Sequence, residues 1–182
     1  MSERMGDWVR TVSGREFYFE DPLLEDIYFE DIARGLSNIC RFGGQVPRFY
    51  SVAQHSCLVA YLLPKELKLW GMLHDAAEAY VGDMVRPLKY HHGMVEYRAI
   101  ESLIMSAIAD HFELSWPMPQ EVKVADTQAL LAEQQYLLGT HSDQPIMGLV
   151  YVGPLEDLLY PMDPSSAYHH YVRTFNTILK GG

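Results

Sequence analysis

The chain has 182 residues, 48% of them hydrophobic, with 24 acidic against 14 basic side chains and a formal net charge of −10. That length suits one domain, residues 1–182, with a sizeable core, and the apolar content excludes disorder on composition alone. Such an acidic chain is a poor general binder of nucleic-acid backbones, so a phosphate would have to be held locally, by a metal ion and a few placed cations. No apolar run reaches the roughly 18 residues that span a bilayer. The opening MSERMGDWVR carries no stretch of signal-peptide type, so no membrane partner and a cytoplasmic location are expected.

In chain order, residues 8–20 read as a small hairpin: Ser13-Gly14 supplies the turn, and β-branched and aromatic residues flank it. Residues 31–42 carry Ile32, Leu36 and Ile39 at helical spacing, with Asp31 as the expected N-cap and Gly43-Gly44 as the stop. A helix over 51–63 starts at a capping Ser51 and stops at Pro64. One continuous helix is expected over 65–81, closed by Gly82, and a loop over 83–93. Residues 94–112 place Ile100, Leu103, Ile104, Ala107 and Ile108 on one helical face. A long amphipathic helix follows over 120–138, then a Pro- and Gly-broken stretch over 139–162. The last helix, 164–179, has Asp163 as its cap and Pro164 in its first turn. The fold class is therefore mainly α, a compact helical bundle with a minor N-terminal β-hairpin. Both cysteines, Cys40 and Cys57, fall in apolar stretches that read as helix, and buried free thiols are expected.

Several ionisable residues interrupt apolar helix faces. His55 shares a face with Val52, Leu58, Val59 and Leu62. His74 and Asp75 sit within LWGMLHDAAEAY, and Asp126 shares a face with Val122, Ala129 and Leu130. A single buried histidine is commonly just a hydrogen-bonded core residue, and a single buried aspartate the partner of an arginine. Three interrupted faces together are harder to explain so, because isolated buried charge costs several kcal/mol or more. One divalent cation resolves the conflict: Asp75 and Asp126 neutralise it while both imidazoles stay neutral. Glu78 follows His74 by one helical turn, a suitable place for a carboxylate that handles an attacking water.

The order His55, His74-Asp75, Asp126 resembles the H…HD…D pattern of the HD-domain phosphohydrolases. SVAQHS, LHDAAEAYVGDMVRPLKY and VKVADTQAL are similar to segments of the small bacterial 5′-deoxynucleotidases and of the phage dATP triphosphohydrolases, and DIARGLSNICRFGGQ is closer to the latter. The likeness covers about residues 28–138. It implies an HD-domain helical bundle with His55, His74, Asp75 and Asp126 as metal ligands, and Glu78 orienting or deprotonating the nucleophilic water. Asp83 would sit beside the sugar and scissile phosphate, Arg41 on phosphate, and Phe42 beside the sugar or base. The nucleotidases usually carry Trp at the position of Phe42, where it helps exclude the ribose 2′-hydroxyl.

A mixed His/carboxylate site suits Zn, Mn, Co or Fe(II) better than Mg, which prefers oxygen ligands. Arg86 and Lys89 join Arg41 as cations near the pocket; ordinary solvated loop charge explains the first two equally well. His91-His92 reads as a polar loop pair, and Glu133 either as a support behind Asp126 or as a salt-bridge partner. The resemblance implies a small deoxynucleotide substrate and a homo-oligomer. Its best-matching activity is release of triphosphate from a dNTP, dATP foremost, with a dNMP 5′-nucleotidase as the alternative. A non-catalytic nucleotide-binding module is the competing class. A di-iron oxygenase would need more core histidines than the chain offers.

Overall fold

A computed structural model describes residues 4–139 and 154–181. Two short strands, β1 (Trp8–Arg10) and β2 (Glu16–Tyr18), pair antiparallel with Val9 opposite Phe17, as the hairpin pattern predicts. Gly14 takes φ 84° at the turn, a conformation open to glycine at no steric cost. Phe17 anchors the hairpin in the core: it is fully buried and stacks on Tyr80 with ring centroids 3.7 Å apart.

The remainder is helical: α1 (Phe29–Asn38), α2 (Val52–Leu62), α3 (Lys68–Leu73), α4 (Glu78–Val81), α5 (Arg86–Lys89), α6 (Val95–His111), α7 (Gln120–Leu138), α8 (Pro154–Leu159) and α9 (Pro164–Leu179). The mainly α class is thus as expected, and among the described residues no helix is long and apolar enough to cross a membrane. α2 is the central rod. Nine consecutive residues, Val52 to Ala60, are buried, so that stretch has no solvent face, and α1, α3, α7 and α9 pack around it. The Ser51 hydroxyl accepts the Gln54 amide at its start, and the Asp163 carboxylate caps α9 through the amides of Ser165 and Ser166. α9 closes the bundle by stacking Phe175 on Phe29 and by donating the Tyr171 hydroxyl to the Met72 carbonyl at 2.6 Å.

Several expectations are corrected. α1 begins at Phe29, so Asp31 lies inside its first turn rather than capping it; its carboxylate accepts the amide and hydroxyl of Ser13 and ties the hairpin down. α1 also ends at Asn38, four residues early, because residues 39–41 turn extended to pair with 50–52: the Arg41 amide donates to the Tyr50 carbonyl and the Val52 amide to the Ile39 carbonyl. Cys40 therefore lies outside the helix and only half-buried, whereas Cys57 is a buried thiol of α2 that burial pushes up to about 12. The single helix expected over 65–81 is interrupted at 74–77, and the loop expected over 83–93 contains α5. On α6 the core side runs through Ile104, Met105, Ile108 and Ala109, while Leu103 turns outward. Residues 140–153 of the expected Pro- and Gly-broken stretch lie outside the described residues.

Candidate metal centre

The break at 74–77 places adjacent donors. His74 Nδ1 donates to the Gly71 carbonyl at 2.8 Å, the acceptor that a continuing α-helix would offer to the Asp75 amide. Beyond it the backbone bonds tighten to i→i+3, with Ala76 to Leu73, Glu78 to Asp75 and Ala79 to Ala76. α3 approaches α2 closely because Gly71 has no side chain: a Cβ there would lie 2.6 Å from the Ala60 Cα. This contact brings His74 beside His55.

Three donor atoms, on His55, His74 and Asp75, meet, and Asp126 Oδ1 stands beside the two imidazoles. His55 Nε2 lies 3.2 Å from His74 Nε2, 3.0 Å from Asp126 Oδ1 and 3.6 Å from Asp75 Oδ2. His74 Nε2 lies 3.1 Å from Asp75 Oδ2 and 3.9 Å from Asp126 Oδ1. Ligands about 2.1 Å from one ion would stand about 3.0 Å apart at a right angle and about 3.4 Å apart at the tetrahedral angle. Most of the separations fall at or near that range. Both Nδ1 atoms are committed elsewhere, His74 to the Gly71 carbonyl and His55 to Glu133 Oε1 at 2.7 Å. In the neutral rings both Nε2 lone pairs therefore face one point, together with two carboxylates. Only a cation or a proton relieves that arrangement, and the donor set fits a divalent transition metal ion. His55, His74 and Asp75 alone already offer ligand atoms within 4.8 Å of one another.

The electrostatics are consistent with a cation. Burial pushes Asp75 up, but His74, His55 and Arg41 outweigh it and hold the carboxyl well below its ordinary range. Asp126 is likewise lowered, burial being overcome by its hydrogen bond to His55. Without metal, burial and Arg41 lower His55, yet Glu133 and Asp126 prevail and raise it to about 9: a proton then occupies the cation's place. Behind the histidine, Glu133 is fully buried, and it is a salt-bridge partner that contacts His55 rather than Asp126. Oε1 accepts from His55, and Oε2 pairs with Arg41 at 2.9 Å.

The donors open into a cleft of about 870 Å³. The turn bearing His74, Asp75 and Glu78 forms its floor. Arg98, Glu101 and Met105 of α6 line one wall at helical spacing, and Lys123, Asp126 and Leu130 of α7 line the other. Trp116 and Met118 supply an apolar end, while Asp83, Arg86, Lys89 and Tyr90 form a lip. Glu78 is 5% exposed, and its Oε2 has no hydrogen-bond partner. Burial, then Asp75 and Asp83, hold its carboxyl well above the ordinary value. Burial also raises Asp83, and Asp75 adds to it.

Of the residues assigned to metal, catalysis or substrate from the sequence, all line this cleft except His55, which is fully buried. Arg41 is 8% exposed, bonded to Glu133 and 3.9 Å from Asp75, so it buttresses the donors as well as facing the cleft. Phe42 takes φ 59°, uncommon for a residue with a side chain, and the Arg41 guanidinium lies 5.4 Å from its ring centre. Lys89 pairs with Glu101 at 2.6 Å, and Arg86 is exposed. His91 and His92 are an exposed pair, as expected, and do not join the donors. Arg98, Trp116, Met118 and Lys123 are cleft residues that the sequence reading missed. The spacing of Lys123 from Asp126, one helical turn, was the available signal.

Fold and site thus define a mainly α protein with His55, His74 and Asp75 clustered, and Asp126 beside them, at an open cleft. The chain is 36% identical over 172 residues to the uncharacterized protein YfdR of Escherichia coli K12, covering 94% of this chain and 95% of that one. It is 34% identical over 145 residues to the uncharacterized protein RCAP_rcc00048 of Rhodobacter capsulatus, covering 72% and 74%. It belongs to the family of these two proteins. No protein-family profile matches the chain.

Proposed function

We propose that the cleft is the active site of a metal-dependent phosphohydrolase of the HD-domain type, cleaving the 5′ phosphoester of a deoxynucleotide. The carrying observation is the convergence of the His55 and His74 Nε2 atoms with Asp75 and Asp126, one turn from Glu78, whose Oε2 has no hydrogen-bond partner and whose Oε1 lies 3.8 Å from the Lys89 ammonium. When bound, a divalent ion would neutralise phosphoryl charge and ease deprotonation of a water. Glu78 is the group to take that water's proton, as the water oxygen bonds to phosphorus and the P–O5′ bond breaks. Asp83, held above its ordinary value, is suited to return a proton to the departing 5′ oxygen. Glu133 keeps His55 in the tautomer that aims Nε2 at the site.

The preferred substrate is a dNTP, dATP foremost, giving deoxynucleoside and triphosphate. Five cations line the cleft, Arg41, Arg86, Lys89, Arg98 and Lys123, more than one monophosphate needs. The test is incubation of metal-loaded protein with dATP and dAMP in separate reactions. Deoxyadenosine and inorganic triphosphate from dATP are the expected products. Phosphate from dAMP with dATP intact would make the protein a nucleotidase instead. Inertness towards all dNTPs and dNMPs with Zn, Mn, Co and Fe(II) would reduce the site to a binding module.

A further inference from the structure

Arg86 on the lip and Arg98 on the α6 wall both line the cleft. Among the described residues neither has a carboxylate within ion-pairing distance, whereas Lys89, between them in sequence, is paired with Glu101. Both guanidinium groups lie 5.8 Å from the ring centre of the same tyrosine, Tyr90, which is 65% exposed. Arg98 is also fixed in direction. One terminal nitrogen donates to the Lys89 carbonyl at 2.6 Å and to the His91 carbonyl at 3.2 Å, at the end of α5. A guanidinium has five N–H donors, so that commitment leaves others for a ligand.

Tyr90 therefore presents a platform with a guanidinium at each of two positions, held by cation–π attraction and by one pair of backbone carbonyls. Planar, weakly hydrated cations of this kind bind phosphate oxygens in pairs. Arg86 and Arg98, like Lys123 on the other wall, line the cleft with no carboxylate partner among the described residues, so their charge is available to a polyphosphate. We infer that Arg86 and Arg98, bracketing Tyr90, form a separate subsite for the outer phosphates of a polyphosphate chain. This rests on the phosphohydrolase reading of the same cleft, and makes chain length, rather than the base, the feature read at the lip.

The probe is inorganic tripolyphosphate, titrated calorimetrically into the metal-loaded full-length protein beside orthophosphate. Tripolyphosphate should bind at least about tenfold more tightly than orthophosphate, with an affinity that falls as salt rises. Arg86→Ala and Arg98→Ala should each weaken tripolyphosphate several-fold and leave orthophosphate nearly unchanged. Removing Arg98 also strips two carbonyls of their donor. The Arg86 side chain makes no hydrogen bond among the described residues, so Arg86→Ala keeps the test valid if Arg98→Ala unfolds. Equal affinity for the two anions, or tripolyphosphate binding unaltered in Arg86→Ala, would overturn the inference. The nucleotide assay judges the activity separately, since the titration requires no turnover.

Discussion

Glu133 Oε1 stands 2.7 Å from His55 Nδ1, and neither side chain has any exposure to solvent. The same carboxylate carries the buried end of Arg41. One residue on α7 thereby fixes the direction of the His55 ring on α2 and neutralises a cation from the segment before it.

Breaking that arrangement should be costly in two separate ways. Glu133→Ala strands Arg41 in the interior, and loss of one partner of a buried pair typically costs about 3–5 kcal/mol; denaturant unfolding measures it. Glu133→Gln retains an acceptor for His55 but not the charge, and metal affinity should fall about 10–100-fold. Competition against a chromogenic chelator reads that loss, and unchanged affinity would remove Glu133 from the centre.

Glu78 separates activity from stability. Its carboxyl is pushed far above the ordinary value by burial, so above about pH 4.5 the unfolded chain ionises where the folded one resists, and its burial opposes folding. Glu78→Gln should therefore keep metal, lose at least about a hundredfold in turnover, and be no less stable than the parent at pH 7. A destabilised variant, or one of full activity, would show the carboxylate to be structural.

The metal-free protein should weaken as pH rises. His55 is held at about 9 there, above its ordinary 6.5. Below about pH 6.5 folded and unfolded chains both carry the proton and the contribution is complete. Between 6.5 and 9 only the folded form keeps it, so stability falls, by up to about 3 kcal/mol. With metal bound the ring is a neutral ligand, and the decline should vanish. Metal binding at pH 7–8 should release about one proton, read by calorimetry in buffers of different ionisation enthalpy.

Gly71→Ala should damage the site from a distance. The new methyl would lie 2.6 and 2.8 Å from backbone atoms of Ala60, so α3 must move off α2, at about 1–3 kcal/mol. His74 moves with it, and weaker metal binding should accompany a lower melting temperature. Full metal affinity in a destabilised variant would show that the α2–α3 contact does not set the donors.

The sequence alone determined the elements whose limits are chemical and local. Ser51 before α2, the 120–138 periodicity, and Asp163-Pro164 before α9 satisfy or shape backbone groups within a turn of themselves, so those helices could be bounded without partners. That His55, His74, Asp75 and Asp126 come together was legible for a related reason: ionised groups on apolar faces announce a conflict that composition cannot hide. Tertiary structure decided the rest. Residues 39–41 leave the helix to pair with 50–52, and 74–77 tighten around a histidine bonded to Gly71. The stripe of α6 that faces the cleft follows from its packing neighbours, and Arg41 meets Glu133 across 92 residues. Such choices depend on which surfaces are brought together, a matter of long-range burial and charge that no local pattern records.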